Sequence, residues 1–178
     1  MLTKIGKKRV AVLAVLVLLI GVVIWALLPG KPDGRTTESR EQILRELPKG
    51  IDWHIASEVM IGEYIISSVY ANRYDGIAVF VPQEGGRYDY QTIYHRDKGQ
   101  IVLGNSVLID GRWYLLSWLN RADLDYAEVT FTVDGEAPET QRLDTGDSGL
   151  ELICVEAPDA DSYTASVVYY DNAGNMIE

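Results

Sequence analysis

The residues with the chemistry to act on a substrate are few. Cys154 is the single cysteine, and a thiolate there could attack a carbonyl if one of the two imidazoles, His54 or His95, took its proton. Leu-Glu-Leu-Ile precedes Cys154, and a small cysteine in an apolar strand reads first as core filler. Ser148, in Gly146-Asp147-Ser148-Gly149, could be a nucleophile only with a His relay and an orienting Asp, and the stretch reads better as a glycine-rich turn. Asp123, Asp125, Asp144, Asp147, Asp159 and Asp161 offer the hard oxygens calcium prefers, but their spacing is not that of an EF-hand loop. With two His and one Cys far apart, zinc has no ligand set. The expectation is no catalytic, cofactor or metal residue, with a calcium-stabilised adhesion-type module as one alternative. Tyr88, Tyr90 and Tyr94 fall at strand spacing on one face, and Trp113 and Trp118 lie further on. These rings read as core, or as an exposed stripe for sugars or peptide.

Any such site must be positioned by what surrounds it, and the first element is unambiguous. Val10 to Leu28 (VAVLAVLVLLIGVVIWALL) is nineteen residues without a charge, an amide or a hydroxyl. As a helix it would be about 28 Å long, close to the ~30 Å hydrocarbon core of a bilayer. Lys4, Lys7, Lys8 and Arg9 precede it, and residues 1–30 hold no acid. Basic flanks favour the cytoplasmic side, so residues 1–9 read as a cytoplasmic tail and 10–28 as a single transmembrane helix. Residues 29–37 form a linker that opens Pro29-Gly30-Lys31-Pro32-Asp33-Gly34, and residues 38–178 an extracytoplasmic domain. A cleaved signal peptide shares the basic start, but its apolar core is shorter and ends at a small-residue site, which Trp25-Ala26-Leu27-Leu28 does not supply.

Charge is distributed unevenly. The chain has 26 acids and 16 bases, and four of those bases precede residue 30, which leaves 26 against 12 outside the membrane. From Asp123 to the end there are fourteen acids and one base, Arg142. Phosphate backbones attract Lys and Arg, so nucleic acid is not an expected partner. The acids read as a solvated face, or as a surface for a cationic partner. A lone cysteine rules out an internal disulfide, which suits a Gram-positive cell surface.

Beyond the linker, Ser39 to Leu47 reads as a short amphipathic helix. Ser39 and Gln42 form a capping box, Ile43, Leu44 and Leu47 an apolar stripe, and Pro48 and Gly50 a stop. Strand signals follow. Ala127, Val129, Phe131 and Val133 alternate with polar residues, one face in and one out. Ile77–Val81, ended by Pro82, and Trp113–Leu119 are apolar on both faces and read as central strands. Asp110-Gly111 signals a two-residue type I′ hairpin. The fold expected is mainly β: an antiparallel sandwich of about 8–10 strands led by one helix.

Three resemblances bear on function. Gly146–Gly149 is similar to the nucleophile turn of trypsin-like serine proteases, but Leu150 stands where that family has glycine and neither His lies in its histidine motif. The layout of anchor, outer β-domain, His95 and then Cys154 resembles sortase transpeptidases and implies a cell-wall cysteine transpeptidase as an alternative. The arginine that follows the cysteine in that family has no counterpart here. The overall plan, ending in Tyr170-Asp171-Asn172-Ala173-Gly174-Asn175-Met176-Ile177, resembles uncharacterised single-span, membrane-anchored surface proteins of Gram-positive bacteria. That resemblance carries no activity to transfer, and the function expected is an outer binding or accessory module, not an enzyme. Its partners would be the bilayer, through residues 10–28, and a protein or peptide outside.

Overall fold

The computed structural model describes residues 31–47, 50–144 and 152–177. The expected span at 10–28 lies outside them, and among the described residues no helix is long and apolar enough to cross a membrane. Helix α1 runs Thr37–Arg45 and starts two residues before the expected cap. Thr36 is extended (φ −110°, ψ 159°), and its hydroxyl accepts from the Ser39 N–H. Ser39 sits inside the first turn instead. Its hydroxyl accepts from the Gly34 N–H at 2.9 Å and donates to the Asp33 carboxylate at 3.2 Å, bracing the incoming chain. Gly34 has φ +70°, and a Cβ there would lie 2.5 Å from the Tyr88 carbonyl oxygen, so glycine alone fits the close approach.

The first sheet is an antiparallel meander in the order β1 (His54–Ile61), β2 (Tyr64–Tyr70), β3 (Tyr74–Gln83), β4 (Arg87–Asp97). Its outer face packs under α1: Leu44 lies on Trp53, Ile65, Val69, Ala78 and Phe80. Pro82 does not end β3. The β2 pairing stops at Phe80, so past that residue β3 has one neighbour and the missing N–H costs no bond on the other side. A bulge interrupts β4, where Phe80 pairs with Tyr90 but Val79 with Thr92. The extra residue inverts the alternation. Tyr88, Tyr90 and Ile93 therefore face the helix, whereas Tyr94 joins the opposite face, and the expected single stripe of Tyr88, Tyr90 and Tyr94 does not exist.

The remaining strands are β5 (Val102–Ile109), β6 (Arg112–Trp118), β7 (Leu124–Val133), β8 (Glu139–Asp144), β9 (Ile153–Glu156), β10 (Tyr163–Asp171) and β11 (Met176–Ile177). They form two sheets, β5-β6-β9 and β11-β10-β7-β8. Three strands face four across a shared apolar interior, with β8 paired to β7 and not to β9. β8 and β11 carry no strong apolar alternation and are not anticipated from the sequence.

The expectation of one sandwich is thus half of the architecture. The layers run helix, meander sheet, three-stranded sheet, four-stranded sheet. Along Leu115–Leu119 the three-stranded sheet is buried on both sides, which is why that run is apolar at nearly every consecutive position. Leu116 and Trp118 meet Ile66, Ile77 and Val79 of the first sheet, while Leu115 and Leu119 meet Val129, Phe131 and Tyr169 of the sandwich interior. Ser117, fully buried, shares a 2.7 Å hydrogen bond with the Tyr169 hydroxyl across that interior.

Candidate binding surface

Of the five aromatic residues read as core or as an exposed stripe, Trp113 alone is exposed. Asp110 (φ 49°) and Gly111 (φ 81°) both take positive φ, as a type I′ turn requires, and this fixes the β5–β6 register. Ile109 opposes Arg112, and Leu108 opposes Trp113. Leu108 and Trp113 are each 47 % exposed, whereas Trp118 is fully buried. Cross-strand partners on one face interact directly, so these two form a single apolar patch at the tip of the hairpin.

Beside the patch is a concavity of about 420 Å³, walled by Arg112, Trp113, Glu156, Pro158 and Asp159. The Ala157 N–H donates to the Trp113 carbonyl at 2.8 Å, which ties the far wall to β6. Arg112 Nη1 donates to both Glu156 carboxylate oxygens, at 3.1 and 3.2 Å. That bond and the neighbouring negative charge hold the Arg112 pKa above its ordinary value. The same end of the sandwich exposes Asp110, Asp134, Glu136, Asp159 and Asp161, so the rim is acidic and its one cation is engaged.

The other candidates are dispersed. Cys154 sits in β9 against the cluster between the first two sheets, and burial pushes its thiol up to about 12. His95 follows Tyr94 on β4 and points the other way, against Trp53 and Tyr74 with ring centroids 6.2 and 5.3 Å apart. Cys154 and His95 therefore lie toward opposite faces of the first sheet, and the structure does not bring them together. Ser148 and Asp147 lie outside the described residues. Asp123 is bonded to Arg121 at 2.5 and 2.8 Å, and Asp144 to Arg142 at 3.0 Å. Arg142 also approaches Asp125 at 3.9 Å. Asp159 and Asp161 are in the β9–β10 loop. Among the described residues, no three His, Cys, Asp or Glu side chains converge closely enough to hold a metal ion.

Two features of these surfaces are not marked by the sequence patterns. One is the exposure of Leu108, since the Asp110-Gly111 register sets its pairing with Trp113 but not its burial. The other is a ladder on the outer face of the sandwich. Tyr126 and Tyr170 stack at 4.4 Å, with Arg142 3.6 Å over Tyr126. Comparison with protein-family models, curated proteins and solved structures finds no match to this chain.

Proposed function

We propose that this protein is a membrane-anchored binding module. In this reading residues 10–28 span the bilayer and residues 1–9 stay in the cytoplasm. The β-rich unit that starts at Asp33 works at the outer face of a bacterial membrane, holding a protein or peptide partner without catalysing a reaction. The anchor is supported by nineteen uncharged residues preceded by four bases. The binding role rests on one observation: the solvent-facing Leu108–Trp113 pair beside a concavity. Covering the exposed half of the indole alone would remove roughly 100 Å² of apolar surface from water, about 2.5 kcal/mol.

Two measurements test the reading. Protease added to intact, wall-stripped cells should digest the chain beyond Arg35 and spare the tail; protection of the outer unit refutes the orientation. A benzophenone side chain placed at position 113 of the full chain in its native membrane should cross-link a discrete partner, and Leu108→Glu should suppress it. Cross-linking no stronger than from position 141, on exposed β8, refutes the binding site.

A further inference from the structure

Among the described residues, one edge of the four-stranded sheet is paired over only part of its length. β10 pairs with β7 from Tyr163 opposite Val133 to Asp171 opposite Leu124. On its other side β11 covers Tyr169 and Tyr170 alone. Among the described residues no strand lies beside Thr164–Val168, so five residues of backbone present an edge without a ladder partner. Sheets guard such edges with Lys, Pro or a bulge, and Thr-Ala-Ser-Val-Val contains none of these.

The sandwich interior is open at the same place. Alternation along β10 puts Ala165 on the side of Val167, which packs against the inner cluster, and of Tyr169, which is fully buried in it. Ala165 is nevertheless exposed. On the facing sheet, Trp113 lies on the side of Leu115, an inner-cluster residue, and Leu108 is its cross-strand neighbour. Two sheets thus turn uncovered side chains toward one seam, and the seam adjoins the unpaired edge. One extended segment laid along β10 in line with β11 would cover both, its alternate side chains entering between Ala165 and the Leu108–Trp113 pair.

The charge around the seam selects the occupant. Asp110, Asp134, Glu136, Asp159 and Asp161 are exposed there, and Arg112 is committed to Glu156. A second copy of this chain would bring the same acids to the contact, since residues 123–178 hold fourteen acids and one base. Resting on the binding reading above, we propose that the open flank of β10 accepts, by β-strand addition, a lysine- or arginine-bearing extended segment of a partner protein. The segment runs antiparallel to β10, with apolar side chains inward and its cations over the acidic rim.

The test uses the full chain in zwitterionic lipid nanodiscs and three nine-residue peptides. One alternates Val and Lys; the second has Glu for Lys; the third is the Lys peptide N-methylated at alternate residues, which removes its ladder donors. The Lys peptide should slow amide exchange within Thr164–Val168 at least about tenfold, and the other two should not. Leu108→Glu and Trp113→Ala should each weaken it by about tenfold, equivalent to roughly 1.4 kcal/mol, with unchanged far-ultraviolet circular dichroism. Equal binding of the N-methylated peptide overturns strand addition while leaving an apolar binding patch in place. Flank-facing amides of Thr164–Val168, those not bonded to β7, that are already slow in the monomer would show the flank filled by its own chain. Protection that rises with protein concentration would assign the flank to a second copy. No Lys-peptide binding, with cross-linking from position 113 intact, refutes this occupant and spares the binding reading.

Discussion

Arg40 is the residue whose loss should cost the fold most for its chemistry. It lies on the buried face of α1, and its side chain is 6 % exposed; that of its partner Glu58, on β1, is 21 %. Arg40 Nε and Nη2 donate to the two Glu58 oxygens at 2.8 and 2.6 Å, and Nη1 donates to the Gly34 carbonyl at 2.6 Å. Thr37 and Ser67 hydroxyls donate to the same carboxylate at 2.8 and 2.9 Å. Burial pushes the Glu58 pKa up, but the bonds from Arg40, Thr37 and Ser67 outweigh it, and the group sits below its ordinary 4.5. Breaking a buried pair costs about 3–5 kcal/mol, and the two surviving hydroxyl donors put Arg40→Leu near the lower figure. For a unit of this size about 3 kcal/mol lowers the melting temperature by roughly 9 °C. The pH dependence carries the sign. In the native protein the lowered pKa contributes stability above 4.5, which is lost as pH falls below that value. Without Arg40, burial dominates and the Glu58 pKa rises, so the penalty is present at neutral pH and is relieved as pH falls. Denaturation of the full chain should therefore show the gap between Arg40→Leu and native narrowing from pH 7 to pH 4. Arg40→Leu/Glu58→Leu should recover most of the loss. A gap that does not change with pH, or additive single and double variants, would refute the assignment.

At the centre of the sandwich, Tyr169→Phe should cost about 1–3 kcal/mol by stranding the buried Ser117 hydroxyl, and Ser117→Ala/Tyr169→Phe should be milder than the sum of the singles; additive losses in a denaturation series would refute the pairing. With its thiol pushed up to about 12, Cys154 should react with a maleimide at pH 8 roughly a thousandfold more slowly in the folded than the unfolded chain, and its burial should make stability fall as pH rises above about 9; fast labelling abolished by His95→Ala would instead revive a catalytic cysteine. If the acids of residues 123–178 are a solvated face, sodium chloride and calcium chloride at equal ionic strength should raise the melting temperature equally, whereas a saturable calcium-specific rise lost in Asp144→Asn or Asp159→Asn would show an ion site.

The parts of the fold legible in the sequence are those fixed by local chemistry. Asp110-Gly111 specifies a type I′ turn because both positions take positive φ, and it carries the β5–β6 register with it. Trp113–Leu119 reads as a central strand, and from Leu115 on it is buried on both faces because its sheet is the middle layer. Helix α1 is legible from Leu44 but not from its cap, since Thr36 and Ser39 are equally good cap residues and what separates them is the contact of Ser39 with Gly34 and Asp33. The stripe of Tyr88, Tyr90 and Tyr94 fails for a reason no periodicity contains. One residue inserted between Tyr90 and Thr92 reverses every side chain after it, and the bulge is set by pairing with β3.

The site is harder still, because what exposes it is length and not pattern. Leu108, Trp113 and Ala165 have the residue types and parity of interior positions, and a full-length strand beside β10 would make them interior. They face water beside a stretch of β10 where, among the described residues, β11 pairs with just two residues of its nine-residue neighbour. Strand length at an edge depends on the neighbour available for pairing, which is a long-range property. Arg40 shows the converse. A helix written as an apolar stripe with one arginine on it reads as amphipathic with a solvated charge, and the carboxylate that buries that arginine lies eighteen positions away on another element. In both places the chemistry is local and the burial that gives it meaning is tertiary, so composition identifies the residues and pairing assigns their roles.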